Sequence, residues 1–417
     1  MTDALHAVMA EATRLTRSGR LDEAAALIRR TLRGGFAPDT SSKTSDSSGH
    51  EPIDSTCRVI DDISQLTPPP DSGASAHGSP HDASPSSAPS SAFEATFRSL
   101  RTGLESIITK PSQSNPDIQA GGQFMTGSFT NPAGTRAYKL YIPSGYHGQA
   151  LPLIVMLHGC AQDPDDFAAG TRMNVLAERE GFFVLYPEQA PQANPSRCWN
   201  WFKASDQHRD HGEPSILADM TRHIVSTHGL DAGRIYVAGH SAGGAMAMVM
   251  GVNYPELYAA IGVHSGLPYG VAHDIPSAFA AMQQGETAAL LQRESSFPAA
   301  LKALRIVPTI VFHGDRDTTV HPGNGDRVLA QWATVHSGAG RKLRVTANRG
   351  QVPHGHSYTH SIYHDASGQV VMEQWLVHGA GHGWSGGSPD VSYTDPKGPS
   401  ASEEMVRFFR KHSQGKP

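Results

Sequence analysis

A chain of 417 residues is long enough for one large α/β domain with appendages, or for more than one domain. Its net charge of −5 argues against a nucleic-acid-binding surface, and no apolar run approaches the ~18–20 residues of a membrane span. Three cysteines make no disulfide framework, and the opening residues Met1 to His6 carry neither the basic nor the apolar region of a secretory signal, so the cytoplasm is the expected compartment.

Residues 1–33 have a helical pattern. Leu5, Val8, Met9, Ala12 and Leu15 form one stripe, Ser18-Gly19-Arg20 interrupts it, and Leu21, Ala24, Ala25, Ile28 and Leu32 form a second. A helical hairpin of tetratricopeptide type is expected. One such pair cannot cover its own faces, which points to self-association or to docking on a partner or granule surface. Residues 34–92 are rich in Ser, Pro, Asp and Gly and hold too little apolar surface to offset the entropy of ordering. They read as a disordered linker, with at most a brief ordered stretch near Val59 to Ile63. Residues 93–122 read as a connecting helix and lead-in.

The catalytic domain is expected over 123–412. Residues 123–130 and 136–142 suggest a hairpin around Asn131-Pro-Ala-Gly134. Apolar runs at 152–157, 182–186, 235–240, 259–264 and 307–312 read as buried strands, and helices are expected over 166–180, 245–250, 326–335 and 402–411. Residues 270–303 read as a mostly helical insertion, and 357–365 with 369–377 as a second hairpin. Strands alternating with helices predict a doubly wound, mainly parallel sheet.

Within this frame, Gly239-His-Ser-Ala-Gly243 falls between a strand and a small-residue helix. That is the strand–turn–helix setting of a nucleophile elbow, with Ser241 at the turn. The backbone N–H of Ala242, at the helix start, can receive a developing oxyanion. His158-Gly-Cys160 ends an earlier strand, where the second donor would be the N–H of Cys160. A serine hydroxyl needs a base, and the base needs an orienting carboxylate, in the chain order Ser, Asp, His. His313-Gly-Asp-Arg-Asp317 follows a late strand and offers Asp315 and Asp317. Asp317 is preferred because it has left the strand, while Asp315 reads as a turn cap. His382, between two glycines, is the preferred base, and His378 reads as packing. His356, His360 and His364 share a spacing open to a metal reading, but no HExxH or carboxylate-paired pattern accompanies them, so no metal is expected. Trp199, Trp201 and Trp384 read equally as walls of a substrate pocket or as core. Pairing of Cys160 with Cys198 stays open.

Six stretches taken together resemble the polyhydroxybutyrate depolymerase-type esterases and, with them, the feruloyl and acetylxylan esterases. They are Leu157-His-Gly-Cys160, Cys198-Trp-Asn-Trp-Phe202, Gly212-Glu-Pro214, Gly239 to Met246, His313-Gly-x-x-Asp317 and Gly381-His-x-Trp-Ser-Gly-Gly387. The resemblance covers about 120–412. It implies an α/β-hydrolase with Ser241 as nucleophile, Asp317 as acid, His382 as base and an oxyanion hole at Cys160 and Ala242. It implies no cofactor, and as substrate a poly- or oligo-3-hydroxybutyrate ester or, alternatively, a feruloyl or acetylxylan ester. Many such relatives are secreted, which makes an extracellular location the alternative to the cytoplasm. A reading of another class, a scaffold or tethering protein with a secondary hydrolase domain, rests on the hairpin and linker alone.

Overall fold

The strands, in chain order, are β1 (Thr56–Ile60), β2 (Gln123–Asn131), β3 (Gly134–Ile142), β4 (Leu153–Leu157), β5 (Phe183–Pro187), β6 (Ile235–His240), β7 (Ala260–His264), β8 (Thr309–Gly314), β9 (Leu343–Gln351), β10 (Ser357–His364), β11 (Val370–Val377) and the short β12 (Trp384–Ser385) and β13 (Thr394–Asp395). The helices are α1 (Pro164–Thr171), α2 (Met173–Glu180), α3 (Gly212–His228), α4 (Ala242–Asn253), α5 (Ile275–Gln283), α6 (Gly323–Gly338) and α7 (Ala401–Phe409). This is a computed structural model in which residues 56–60, 121–283, 306–338 and 342–415 are described. They belong to one unit, Ile53–Pro417. The hairpin expected over 1–33, the helix expected within 93–122 and most of the 34–92 segment lie outside the described residues.

Eleven strands form one sheet in the order β1-β9-β10-β11-β8-β7-β6-β4-β5-β3-β2. Six of them, β11 through β5, run parallel, and the antiparallel pairs β2–β3 and β9–β10 with β1 flank them. β4, β5, β6, β7 and β8 are buried at every position, as strands covered on both faces must be. Side chains alternate between two cores. Leu153, Val155 and Leu157 of β4 meet Ile216 and Met220 of α3 and Met246 and Val249 of α4. Ile154 and Met156 share the opposite core with Phe167 of α1, Leu176 of α2 and Phe408 and Phe409 of α7. The result is a helix–sheet–helix sandwich in which the parallel strands all end along one edge.

Most expected elements form, and the departures have local causes. The helix anticipated over 166–180 is two helices, broken where Arg172 takes a left-handed φ of 54° and Thr171 returns its hydroxyl to the Phe167 carbonyl at 2.8 Å. Gly170, two residues before the break, lies within the last turn of α1. α3 was not anticipated, although Pro214 in its first turn and Gly229 at its end, with φ of 60°, are ordinary helix boundary signals. Strand β9 was also missed, because its burial alternates poorly and it is specified by pairing with β10. Within the segment read as linker, β1 pairs antiparallel with β9 from Thr56↔Ala347 to Ile60↔Leu343.

Candidate active site

β6 ends at His240 and α4 begins at Ala242, so the whole reversal falls on Ser241. Its φ and ψ of 56° and −119° lie in a region that costs a non-glycine residue about 1–3 kcal/mol. Two backbone bonds hold it there, Ser241 N–H to the His264 carbonyl at 2.9 Å and Ala245 N–H to the Ser241 carbonyl at 3.0 Å. The flanking glycines are demanded by contact. A Cβ on Gly243 would stand 2.0 Å from the Leu157 carbonyl oxygen, and one on Gly239 would stand 2.3 Å from the Gly243 carbonyl carbon. The elbow therefore fits only because its backbone presses directly on the end of β4.

The acid and base loops leave adjacent parallel strands, β8 and β11, and are zipped together. Asp315 N–H donates to the Val377 carbonyl at 3.0 Å and Arg316 N–H to the Ala380 carbonyl at 3.0 Å. Asp315 accepts from Gly379 N–H at 2.7 Å and lies 2.9 Å from His378 Nδ1. At the end of the zipper, His382 Nδ1 meets Asp317 Oδ2 at 2.6 Å. The other oxygen of Asp317 accepts from the N–H groups of Thr319 and Val320 at 2.9 and 2.8 Å. His313 Nε2 stands 2.9 Å from the Val320 carbonyl and 3.4 Å from Asp317 Oδ2, so a single N–H there serves both. Burial alone would raise the Asp317 pKa, but the hydrogen bonds from His313 and His382 outweigh it and hold the carboxyl far below its usual range.

Buried imidazoles line this edge of the sheet. Burial, with His382 beside it, pushes His240 down to about 3, and burial pushes His158 down to about 4. Both are neutral at working pH and act as polar structure. His158 Nε2 accepts from Gln189 N–H at 3.1 Å, His264 Nε2 accepts from Ser385 N–H at 2.9 Å, and the His240 ring lies 4.9 Å from that of His382. Sequence reasoning gave none of these three a role. Their signal was their placement at the C-terminal ends of β4, β6 and β7.

Cys160 sits in the loop after β4 and is disulfide-bonded to Cys198, with Cα atoms 4.2 Å apart. The pairing left open by the sequence is therefore made. Around it, Gly159 N–H donates to Gln162 Oε1 at 3.0 Å, Ala161 N–H to the Ser196 carbonyl at 2.9 Å and Gln162 N–H to the Gly159 carbonyl at 3.4 Å. Among the described residues, the N–H of Cys160 has no such acceptor. Ala242 N–H is the first of α4, in the position where a helix leaves its amides unpaired.

The three tryptophans are buried, at 0% exposure for Trp199, 5% for Trp201 and 1% for Trp384. Trp384 stacks on His264 with centroids 4.9 Å apart and donates to Ser402 Oγ at 3.0 Å. For Trp199 and Trp384 this is the core alternative, because a ring sealed on all sides offers no wall to a ligand. The histidines with metal-like spacing diverge: His356 pairs with Asp395 at 3.0 Å and His360 with Glu373 at 2.9 Å. Among the described residues no cluster of three His, Cys, Asp or Glu side chains is arranged to hold a metal.

A strained serine at a strand–helix elbow, on a sheet with this strand order, defines the α/β-hydrolase class. Residues 136–346 match the family described as esterase PHB depolymerase, and the chain belongs to that family. It is 32% identical over 264 residues to poly(3-hydroxyalkanoate) depolymerase C of Paucimonas lemoignei, covering 61% of this chain and 59% of that protein. It is 29% identical to a probable acetylxylan esterase A of Aspergillus fumigatus, over 51% of this chain and 58% of that one. It is also 29% identical to feruloyl esterase B of Neurospora crassa, over 69% of this chain and 91% of that one. The chain thus spans little more than half the length of the first two relatives. Among solved structures, an acetyl xylan esterase from Aspergillus awamori aligns with a TM-score of 0.52 at 21% identity, over 69% of this chain and 99% of that one. That likeness is one of fold. No helix among the described residues is long and apolar enough to cross a membrane.

Proposed function

We propose that this chain hydrolyses carboxylic esters through an acyl-serine intermediate, and that its substrates are short hydroxyacyl esters such as oligomers of 3-hydroxybutyrate. The observation that carries the reading is the 2.6 Å bond between His382 Nδ1 and Asp317, with the His382 ring 4.9 Å from that of His240, the residue before a Ser241 held at φ 56°. With Nδ1 committed to the carboxylate, Nε2 is the nitrogen left to take the Ser241 proton as the hydroxyl attacks the ester carbonyl. Asp317, kept ionised by its four donors, orients the ring and stabilises the imidazolium. The N–H groups of Ala242 and Cys160 receive the oxyanion of the tetrahedral intermediate. His382 then returns the proton to the leaving alkoxide oxygen, and the alcohol departs. Water, deprotonated by the same nitrogen, attacks the acyl-enzyme and frees the acid and Ser241.

The depolymerase match supports the hydroxyalkanoate substrate. A feruloyl or acetylxylan ester is the second reading, favoured by the match that spans 91% of a feruloyl esterase. The Cys160–Cys198 disulfide favours an oxidising, extracellular setting over the cytoplasm expected from the first residues. The test is a panel of p-nitrophenyl esters of rising chain length, 3-hydroxybutyrate oligomers, methyl ferulate and acetylxylan, with the pre-steady-state burst recorded. The proposed reading expects a burst on activated esters and turnover of the oligomers. Turnover of methyl ferulate or acetylxylan alone shifts the assignment to the second reading. No burst and no turnover on any of them leaves the scaffold reading.

A further inference from the structure

Glu213, at the start of α3, is 3% exposed, yet its carboxylate is among the most heavily donated groups in the molecule. It accepts from Arg136 Nη2 at 3.2 Å, Gln189 Nε2 at 2.5 Å, Asn200 Nδ2 at 2.6 Å and the backbone N–H of Asn200 at 2.7 Å. Gln189 ties the cluster further: its side chain accepts from Arg136 Nε at 3.0 Å and donates to the Cys198 carbonyl at 2.9 Å, and its backbone N–H donates to His158 at 3.1 Å. A buried carboxylate is costly to maintain, and a well-packed apolar side chain could hold a loop at lower cost. What these donors have in common is where they lead. Asn200 and Cys198 belong to the loop whose Ser196 carbonyl accepts from Ala161 and whose Cys198 is bonded to Cys160. Cys160 thus hangs between the end of β4 and a loop with no regular structure around Cys198, and the polar clasp on the rear of that loop is Glu213.

Resting on the ester-hydrolase reading above, we propose that Glu213 is a positioning residue for the oxyanion hole. Through Asn200, Gln189 and the Cys160–Cys198 bond it sets where the Cys160 N–H points. Glu213 touches neither substrate nor reacting atoms. Donors to an oxyanion act over a few tenths of an ångström, so a loop displaced by that much weakens the transition state while leaving ester binding unchanged.

The experiment compares wild type, Glu213→Gln, the pair Cys160→Ala/Cys198→Ala, and all three changes together on an activated ester. Gln keeps the shape of the side chain but places an amide donor among donors. The alanine pair keeps the Cys160 N–H and removes only the tether. Glu213→Gln should lower kcat by about 10- to 100-fold with KM within about twofold. It should also weaken a trifluoromethyl ketone, whose adduct carries the oxyanion, by the same factor as kcat/KM. The combined variant should lose far less than the product of the separate losses, because both changes release the same loop. If Glu213→Gln does not fold, Asn200→Ala, which removes one donor, takes its place with the same expected pattern at smaller size. Full kcat in a folded variant, a loss confined to KM, or strictly multiplicative losses would overturn the proposal. An inactive wild type would instead overturn the ester-hydrolase reading, which separates the two failures.

Discussion

Serine, carboxylate and imidazole side chains are separated by 76 and 65 positions, and each is placed by its own loop geometry. Ser241→Ala is expected to leave a folded protein with ester hydrolysis reduced by about four orders of magnitude or more, measured as kcat alongside an unchanged melting temperature. The two aspartates are separable. Asp317→Asn removes the charge facing His382 and should cost about 10⁴ in kcat. Asp315→Asn keeps an oxygen for Gly379 N–H and loses only the charge beside the half-exposed His378, so its loss should be tenfold or less. The reverse order would move the acid role to Asp315. His382→Ala should abolish the acyl-enzyme burst, whereas His378→Ala, which breaks contacts to Asp315 and Thr359, should lower the melting temperature with the burst retained. Ser241, Asp317 and His382 were legible as candidates before the structure because the G-x-S-x-G elbow, the strand-ending His-Gly-x-x-Asp and the glycine-flanked histidine carry local signatures. The positioning role proposed for Glu213 was not legible, although Gly212-Glu-Pro214 is among the stretches that carry the resemblance. Its partners Arg136, Gln189 and Asn200 are 77, 24 and 13 positions away, and no local pattern links them.

At the level of elements, the decisive contact is between the elbow and β4. Gly243→Ala would drive a Cβ to 2.0 Å from a backbone oxygen, which cannot swing aside as a side chain could. A loss above about 3 kcal/mol is expected, read as a large drop in the urea midpoint. A melt indistinguishable from wild type would show that β4 can yield. The strands that make this edge were legible as unbroken apolar runs, since both faces are covered. α1 and α2 were read as one helix because Gly170 lies within the last turn of α1, while the break falls at Arg172 and is stabilised by backbone and hydroxyl bonds. β1 at the sheet edge was anticipated only as a brief ordered stretch near Val59 to Ile63, and β9 beside it was missed, because each is specified by backbone pairing that carries little side-chain signature.

For the molecule as a whole, the buried ionisable groups set how stability responds to acid. In the unfolded chain histidine takes a proton near pH 6.5, but His158 and His240 resist it down to about 4 and about 3. The unfolded state therefore binds more protons as the pH falls below about 6.5, and stability declines from there. Burial would raise the Glu373 pKa, yet hydrogen bonds from His360 and Arg407 bring it down to about 2, so its contribution is present above about 4.5 and lost between there and about 2. Urea midpoints should thus fall from about pH 6.5 downward, and Glu373→Gln should flatten the part of that decline below about pH 4.5. A flat profile would mean that these groups are solvated in the native state. Shortening the chain tests its other end. A chain beginning at Ile53 retains β1, whereas one beginning at Phe93 uncovers the edge of β9. Both should keep the full-length rate on activated esters. Association driven by residues 1–33 should vanish in both, whereas association through the opened edge should arise only in the shorter chain, as read by light scattering. If neither truncation alters association, residues 1–33 have no part in it.

The sequence by itself determined the class of fold, the elbow and the candidates Ser241, Asp317 and His382, because each depends on short-range patterns: apolar runs, glycines at a turn, a helix start. Only the tertiary structure decided which side chains those loops bring within bonding distance. It paired Cys160 with Cys198, directed His356 and His360 to separate carboxylates, enclosed Trp199 and Trp384, and gathered four distant groups around Glu213. The physical reason is that hydrogen bonds and packing across the sheet edge depend on the spatial arrangement of strands, and spacing along the chain does not encode that arrangement.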